Sequence, residues 1–216
     1  MSKPASAETT LRALFDAERN VRRLHRELVA GDRGAVIAAA VAAVREAKGS
    51  SDEDEGAVRL VRLAALLGDL GGDRAVDALI DVLDSEQPEA RLAAGEALSE
   101  LAFDRFKEVA LGVERALVRL APTSPALSEL PFVLSEVPEP GVAKLLGRFL
   151  EHAQAEVVAS AIEASVEYGD PALARLIAPL KNDPRVVDLD DEAGERDQAT
   201  IGQLAREACE VLEAAS

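Results

Sequence analysis

Residues 73–101 read DRAVDALIDVLDSEQPEARLAAGEALSEL. Ala75, Leu79, Ile80, Val82 and Leu83 fall at helical spacing, as do Ala90, Ala93, Ala94, Ala97, Leu98 and Leu101 after Pro88. Spacings of three and four put each set on one face of a helix. An acidic turn containing the proline separates the two sets. Neither short helix can bury its apolar face alone, so such a pair needs similar pairs stacked on either side.

This stretch resembles a HEAT repeat. The family pattern has an apolar first helix ending near Leu-x-Asp, a short turn, and then Val-Arg-x-x-Ala-x-x-Ala-Leu-x-x-Leu. Here Leu83 and Asp84 end the first helix. Ala90-Arg91, Ala94, Ala97-Leu98 and Leu101 fill the second. The resemblance covers roughly residues 33–214 and extends to bacterial HEAT-repeat proteins of this size. It implies an all-α, armadillo-like α-solenoid of stacked antiparallel helix pairs. Its motifs specify packing and not an activity.

Composition agrees with that fold. Hydrophobic residues make up 48% of the 216 but aromatic residues only 3%. Small, Ala-rich faces let helices approach closely with few rings, whereas a β-sandwich would need more β-branched and aromatic residues. No run reaches 18 consecutive apolar residues, so no transmembrane helix is expected. The first residues lack the apolar core of a signal peptide. The single cysteine, Cys209, has no partner for an internal disulfide, which fits a cytoplasmic location. A net charge of −16 repels nucleic-acid phosphates and anionic lipid. The expected partner is therefore a protein, basic or amphipathic, with no nucleic acid and no membrane.

Outward from the deciding stretch, the chain divides into five hairpins behind a leading helix. Residues 1–8 are polar and expected to be disordered, with a single domain over 9–216. The leading helix spans about Thr10 to Ala30, with Leu11, Leu14, Phe15, Val21, Leu24 and Leu28 expected on an inner face and Gly31 closing it. It carries Arg19, Arg22, Arg23, His25 and Arg26, a basic stripe that either docks on the acidic body or faces solvent. Ala35–Lys48 and Ala57–Leu70 form the next pair, joined by the charged segment Ser50–Gly56, read as a mobile loop. Residues 73–101 follow. A helix from Phe103 to Leu120 then pairs with a degenerate helix near 125–137, interrupted by Pro131. The clear repeat at 138–168 and a last pair complete the stack. In that last pair Leu173, Leu176, Ile177 and Leu180 face Ile201, Ala205, Ala208, Cys209 and Leu212 across a loop at 181–198. No strand run is evident.

Catalytic and metal constellations are absent from the pattern. His25 and His152 are far apart in sequence. The acidic run Asp188–Glu192 alternates carboxylates, but Ala193 occupies the place where a calcium loop needs glycine. No Gly-rich phosphate loop, GxSxG, HExxH or CxxC occurs. Cys209 stands where the repeat wants leucine and reads as core. Iron-dependent hydroxylases of this fold use repeated His-Glu pairs, and here only Glu151-His152 comes near, in reverse order. DNA-alkyl-base glycosylases of the fold use a basic groove bearing Trp, and this chain has no Trp. The expectation is a non-enzymatic scaffold or adaptor without cofactor. A bilin-lyase-like or other cofactor-handling protein and a toxin-neutralising protein remain alternatives.

Aligning the second helices on their Ala-Leu-x-x-Leu cores gives two rows. The position before the core alanine reads Ala65, Glu96, Glu163 and Glu207. The position before the last core residue reads Asp69, Glu100, Glu167 and Val211. Stacked repeats place equivalent positions in line. In HEAT-like folds the second helices line the concave face, so Asp69, Glu96, Glu100, Glu163, Glu167 and Glu207 would form an acidic track for a basic or amphipathic segment. The bland alternative is that solvent-facing helix positions often carry glutamate.

Overall fold

The computed structural model describes residues 6–190 and 196–214. Its helices are α1 (Ala7–Val29), α2 (Arg33–Lys48), α3 (Glu53–Leu70), α4 (Asp73–Leu83), α5 (Pro88–Arg119), α6 (Pro125–Ser135), α7 (Gly141–Leu150), α8 (Ala155–Tyr168), α9 (Leu173–Ile177) and α10 (Ile201–Ala214). Helix α5 holds one residue outside helical geometry, Arg105, at φ −141° and ψ 46°. This break divides it into a second helix (88–104) and the first helix of the following pair (106–119), close to where the sequence ends one helix near Leu101 and restarts another at Phe103. Among the described residues five pairs result: α2/α3, α4 with the first half of α5, the second half of α5 with α6, α7/α8, and α9/α10. First helices neighbour first helices along the stack, and second helices neighbour second helices. The fold is an all-α stack of helical repeats.

Local chemistry explains where these helices start. Asp32 Oδ1 accepts from the Ala35 N–H at 2.7 Å, capping α2, and Asp52 Oδ1 accepts from the Glu55 N–H at 3.1 Å, capping α3. Pro88 and Pro125 open α5 and α6, where a missing N–H costs nothing. The segment 50–56 therefore differs from the expected mobile loop. Asp52 is a cap, and Glu53, Asp54 and Glu55 form the first turn of α3, where carboxylates complement the positive end of the helix dipole. The expected disordered start also differs. Ser6 caps α1 by accepting from the Thr9 N–H, and Ala7 and Glu8 are already helical; residues 1–5 lie outside the described residues.

One cluster of buried residues runs from Ile37 to Leu212. Of its large, fully enclosed side chains only Phe149 is aromatic, so Leu, Ile, Val and Ala fill the space between helices. Close approach follows from small residues. A Cβ on Gly112 of α5 would clash with Val76 Cγ1 of α4, and one on Gly68 of α3 would sit 3.1 Å from Ala97 Cβ of α5. Cys209 is buried, as its repeat position requires. Leu176, expected in the core of the last pair, is instead 46% exposed, because α9 is only five residues long and passes into a 3-10 turn at Ala178–Asn182.

The segment 181–198, read as a plain loop, carries an antiparallel hairpin. Strand β1 (Val186–Asp190) pairs with β2 (Arg196–Thr200) in the register Val186↔Thr200 to Asp190↔Arg196. Val187 is buried, and β1 packs on α8. The β-branched pair Val186-Val187 suits an extended strand, but its partner strand is polar and gives no alternating signal. Asp191 and Glu192 of the acidic run lie outside the described residues.

Arg185 ties this hairpin to the repeats. Its Nη1 donates to the carbonyls of His152 at 2.9 Å and Ala153 at 2.8 Å, just past the end of α7. Its Nε and Nη2 hold the Asp183 carboxylate at 3.0 and 2.6 Å. Hydrogen bonds from Arg185 pull the Asp183 carboxyl below the ordinary aspartate range, outweighing its partial burial. Burial, and then the Arg185 charge, lower His152.

Two consequences are measurable. Gly112→Ala forces α5 off Val76 and should destabilise the fold by about 1–3 kcal/mol, read as a lower urea midpoint with unchanged slope; an unchanged midpoint refutes the close-packed contact. Acidification acts on the Arg185 cluster in one direction. Unfolded His152 takes up a proton before the folded one does, so stability drops as pH falls below the ordinary histidine range. The Asp183 contribution, present at neutral pH, is lost as pH falls on through its depressed folded value. Arg185→Gln should cost about 1–3 kcal/mol at neutral pH and flatten the acid limb of urea midpoint against pH. An acid limb as steep as in the parent chain would show that these groups do not govern it.

Candidate functional site: the second-helix face

Among the described residues no group of three or more His, Cys, Asp or Glu side chains is placed to hold a metal ion, and no helix is long and apolar enough to cross a membrane.

The six carboxylates read from the repeat rows, Asp69, Glu96, Glu100, Glu163, Glu167 and Glu207, are all exposed. Three of them meet. Asp69 of α3 and Glu96 and Glu100 of α5 rim one depression floored by Val61, Gly68, Ala93 and Ala97. The helices approach closely here because Gly68 lies against Ala97. Farther along, Glu167 of α8 is 3.3 Å from Ser135 Oγ of α6, which donates to it. Glu163 and Glu207 lie on α8 and α10 and share no depression with the first three.

Helix α6 supplies what the aligned rows missed. Glu129, Phe132 and Val133 of α6, with Glu136 capping its C-terminal end, face Leu92, Gly95 and Glu96 of α5 across a second depression. Its rim is acidic and its floor apolar; Leu92 is 66% exposed. Arg91 also enters it and stands 3.8 Å from Glu129. The helix had no place in the rows because Pro131 breaks its resemblance to the repeat. The spacing of Leu127, Leu130 and Leu134, all fully buried, was the available signal for its register.

The two sides of the stack differ in how their carboxylates are used. On the first-helix side, Arg115 and Arg119 of α5 reach Asp77 at 2.9 Å and Asp81 at 2.5 Å on α4. Lys48 sits 3.4 Å from Asp84 and donates to the Asp81 and Asp84 carbonyls. On the second-helix side, Glu96, Glu100, Glu136 and Glu163 have no basic partner among the described residues.

The leading helix α1 corrects a further expectation. None of its residues is buried. Leu11, Leu14 and Phe15 are 51%, 61% and 56% exposed, and Val21, Leu24 and Leu28 also face solvent. The helix rests on α3 by polar contacts: His25 Nε2 lies 2.6 Å from Asp69 Oδ2, and Arg62 donates to Glu18 at 3.5 Å. The arginine stripe does not dock on the body. Arg19 pairs with Asp16, Arg22 with Glu18 and Arg23 with Glu27, all within α1. Arg19, Arg22, Arg23 and Arg26 line an opening whose far side presents Arg62 and Ala65 of α3.

No family model matches the chain, and no curated protein matches it. Among solved structures, an engineered protein from a structural-genomics programme is 18% identical, with 91% of this chain and 98% of that chain covered at a TM-score of 0.34. Human deoxyhypusine hydroxylase in complex with glycerol is 16% identical over 94% and 98% at 0.34, and a designed armadillo repeat protein is 14% identical over 89% and 99% at 0.35. These are similarities at low identity and low superposition score; the chain's own helix order and packing make it an all-α helical-repeat stack.

Proposed function

We propose that this chain is a non-catalytic interaction module, a HEAT-like scaffold or adaptor whose second-helix face takes a basic or amphipathic segment of a partner protein. The observation that carries this reading is the unequal treatment of carboxylates on the two sides. Asp77, Asp81 and Asp84 are met by cations of neighbouring helices, while Glu96, Glu100, Glu136 and Glu163 are exposed and have no basic partner among the described residues. An unpaired track of one sign steers a ligand of the other sign and fixes its orientation. The apolar floor beside Leu92, Phe132 and Val133 gives an amphipathic helix something to bury.

The test uses a defined probe, a synthetic amphipathic helix of leucine and lysine, followed by fluorescence anisotropy. Each exposed charge pair contributes about 0.2–1 kcal/mol, so charge reversal of Glu96, Glu100, Glu163 and Glu167 to Arg should weaken binding at least roughly tenfold without changing the helical circular dichroism signal. Raising salt to about 1 M, where the screening length is about 3 Å, should do the same to the parent chain. Binding indifferent to both changes would remove this face from the function.

A further inference from the structure

Helix α1 has the properties that the second-helix face selects. Residues 19–26 (RNVRRLHR) carry four arginines and no carboxylate. Leu11, Leu14 and Phe15 continue the same helix with an exposed apolar edge. At about 1.5 Å per residue, its 23 residues make a rod of about 35 Å. Adjacent helices pack about 8–10 Å apart, so such a rod crosses three of them.

In its own chain this helix is poorly served. It buries no residue, and its side-chain bonds to α3, His25–Asp69 and Arg62–Glu18, are exposed and of the kind that contributes little. Arg19, Arg22 and Arg23 pair only with carboxylates of α1 itself, and all four arginines face Arg62, a like charge, across the opening they share. Three residues, Ala30–Asp32, join it to α2. That span is about 10 Å at full extension, which keeps the helix beside α2 and α3 while the acid-rimmed depression between α5 and α6 stays open.

We propose that α1 is an arm that docks into the depression between α5 and α6 of a second copy of this chain. Leu11, Leu14 and Phe15 settle against Leu92, Phe132 and Val133, and the arginines of 19–26 meet Glu96 and Glu136, and Glu129 in competition with Arg91. The inference rests on the reading that this face takes basic amphipathic segments, and it names this chain's own leading helix as one such segment. Reciprocal exchange between two copies closes a dimer, while one-way docking builds an open chain.

Sedimentation equilibrium of the full chain tests this, with two charge-reversed variants. The arm variant is R19E/R22E/R23E/R26E and the groove variant is E96R/E129R/E136R. The parent chain should self-associate at low salt, and its apparent dissociation constant should rise at least roughly tenfold near 1 M salt. Each variant alone should be monomeric. An equimolar mixture should associate again, because the reversed arm then meets the reversed groove and the parent arm the parent groove. Helical circular dichroism checks folding. Should the reversed arm lose helix, R19Q/R22Q/R23Q/R26Q takes its place and should likewise be monomeric. A parent chain monomeric throughout at low salt, variants that associate as the parent does, or a mixture that stays monomeric each overturns the proposal. If the parent is monomeric but the leucine-lysine probe still binds the face, the arm inference alone falls; loss of probe binding as well removes the reading beneath it.

Discussion

A helix ends with four carbonyls that its own backbone cannot satisfy, and in a stack of short helices such ends recur every dozen residues. Here cations from neighbouring segments take them up. Lys48, the last residue of α2, donates to two carbonyls at the end of α4. Arg185 closes the end of α7, and Arg206 of α10 donates to the Lys181 carbonyl in the 3-10 turn. A positive charge there also meets the negative end of the helix dipole. The Lys48 and Arg185 bonds cross from one pair to another, so they fix how successive pairs sit, while Arg206 ties the two helices of the last pair.

The break in α5 belongs to the same scheme. Gly71 and Gly72, at φ 61° and 87°, turn the chain between α3 and α4 in a conformation that side chains resist. Glu108, just after the break, accepts from the Gly72 N–H at 2.8 Å, and the Arg105 guanidinium lies 3.5 Å from the Leu70 carbonyl and 3.9 Å from Glu108. Arg105 leaves helical geometry at the point where α5 passes from one pair to the next. The turn of one repeat and the junction of another are thus locked together.

Charge distribution follows from this use of cations. With 24 basic against 40 acidic residues, every Lys or Arg spent on a helix end or on the Asp77–Asp81–Asp84 series is withdrawn from the opposite side. Among the described residues Glu96, Glu100, Glu136 and Glu163 keep no basic partner, although Glu129 is met by Arg91, while α1 keeps a basic stretch of its own. The chain therefore holds an acidic face and a basic amphipathic helix that meet within it at His25 and Asp69.

Much of the architecture lay in the sequence because helix formation and helix pairing are local. Apolar residues three and four apart marked all five pairs, the restart near Phe103 and the buried place of Cys209. The carboxylates Asp69, Glu96 and Glu100 could be aligned because their helices share one core pattern, and Gly68 against Ala97 brings them together. Tertiary structure decided the rest. An amphipathic period in α1 says that a face exists but not that anything covers it, and Leu14 and Phe15 stay in solvent because nothing among the described residues packs over them. The strand β2 is polar and becomes a strand only through its ladder with Val186–Asp190. Glu129 and Glu136 join the acidic face because burial of Leu127, Leu130 and Leu134 sets the rotation of α6, a register that Pro131 hides from repeat alignment. Which carboxylates are neutralised depends on side chains some 35 to 40 positions away, as with Arg115 on Asp77, 38 residues apart, and only the packed stack brings such pairs within reach.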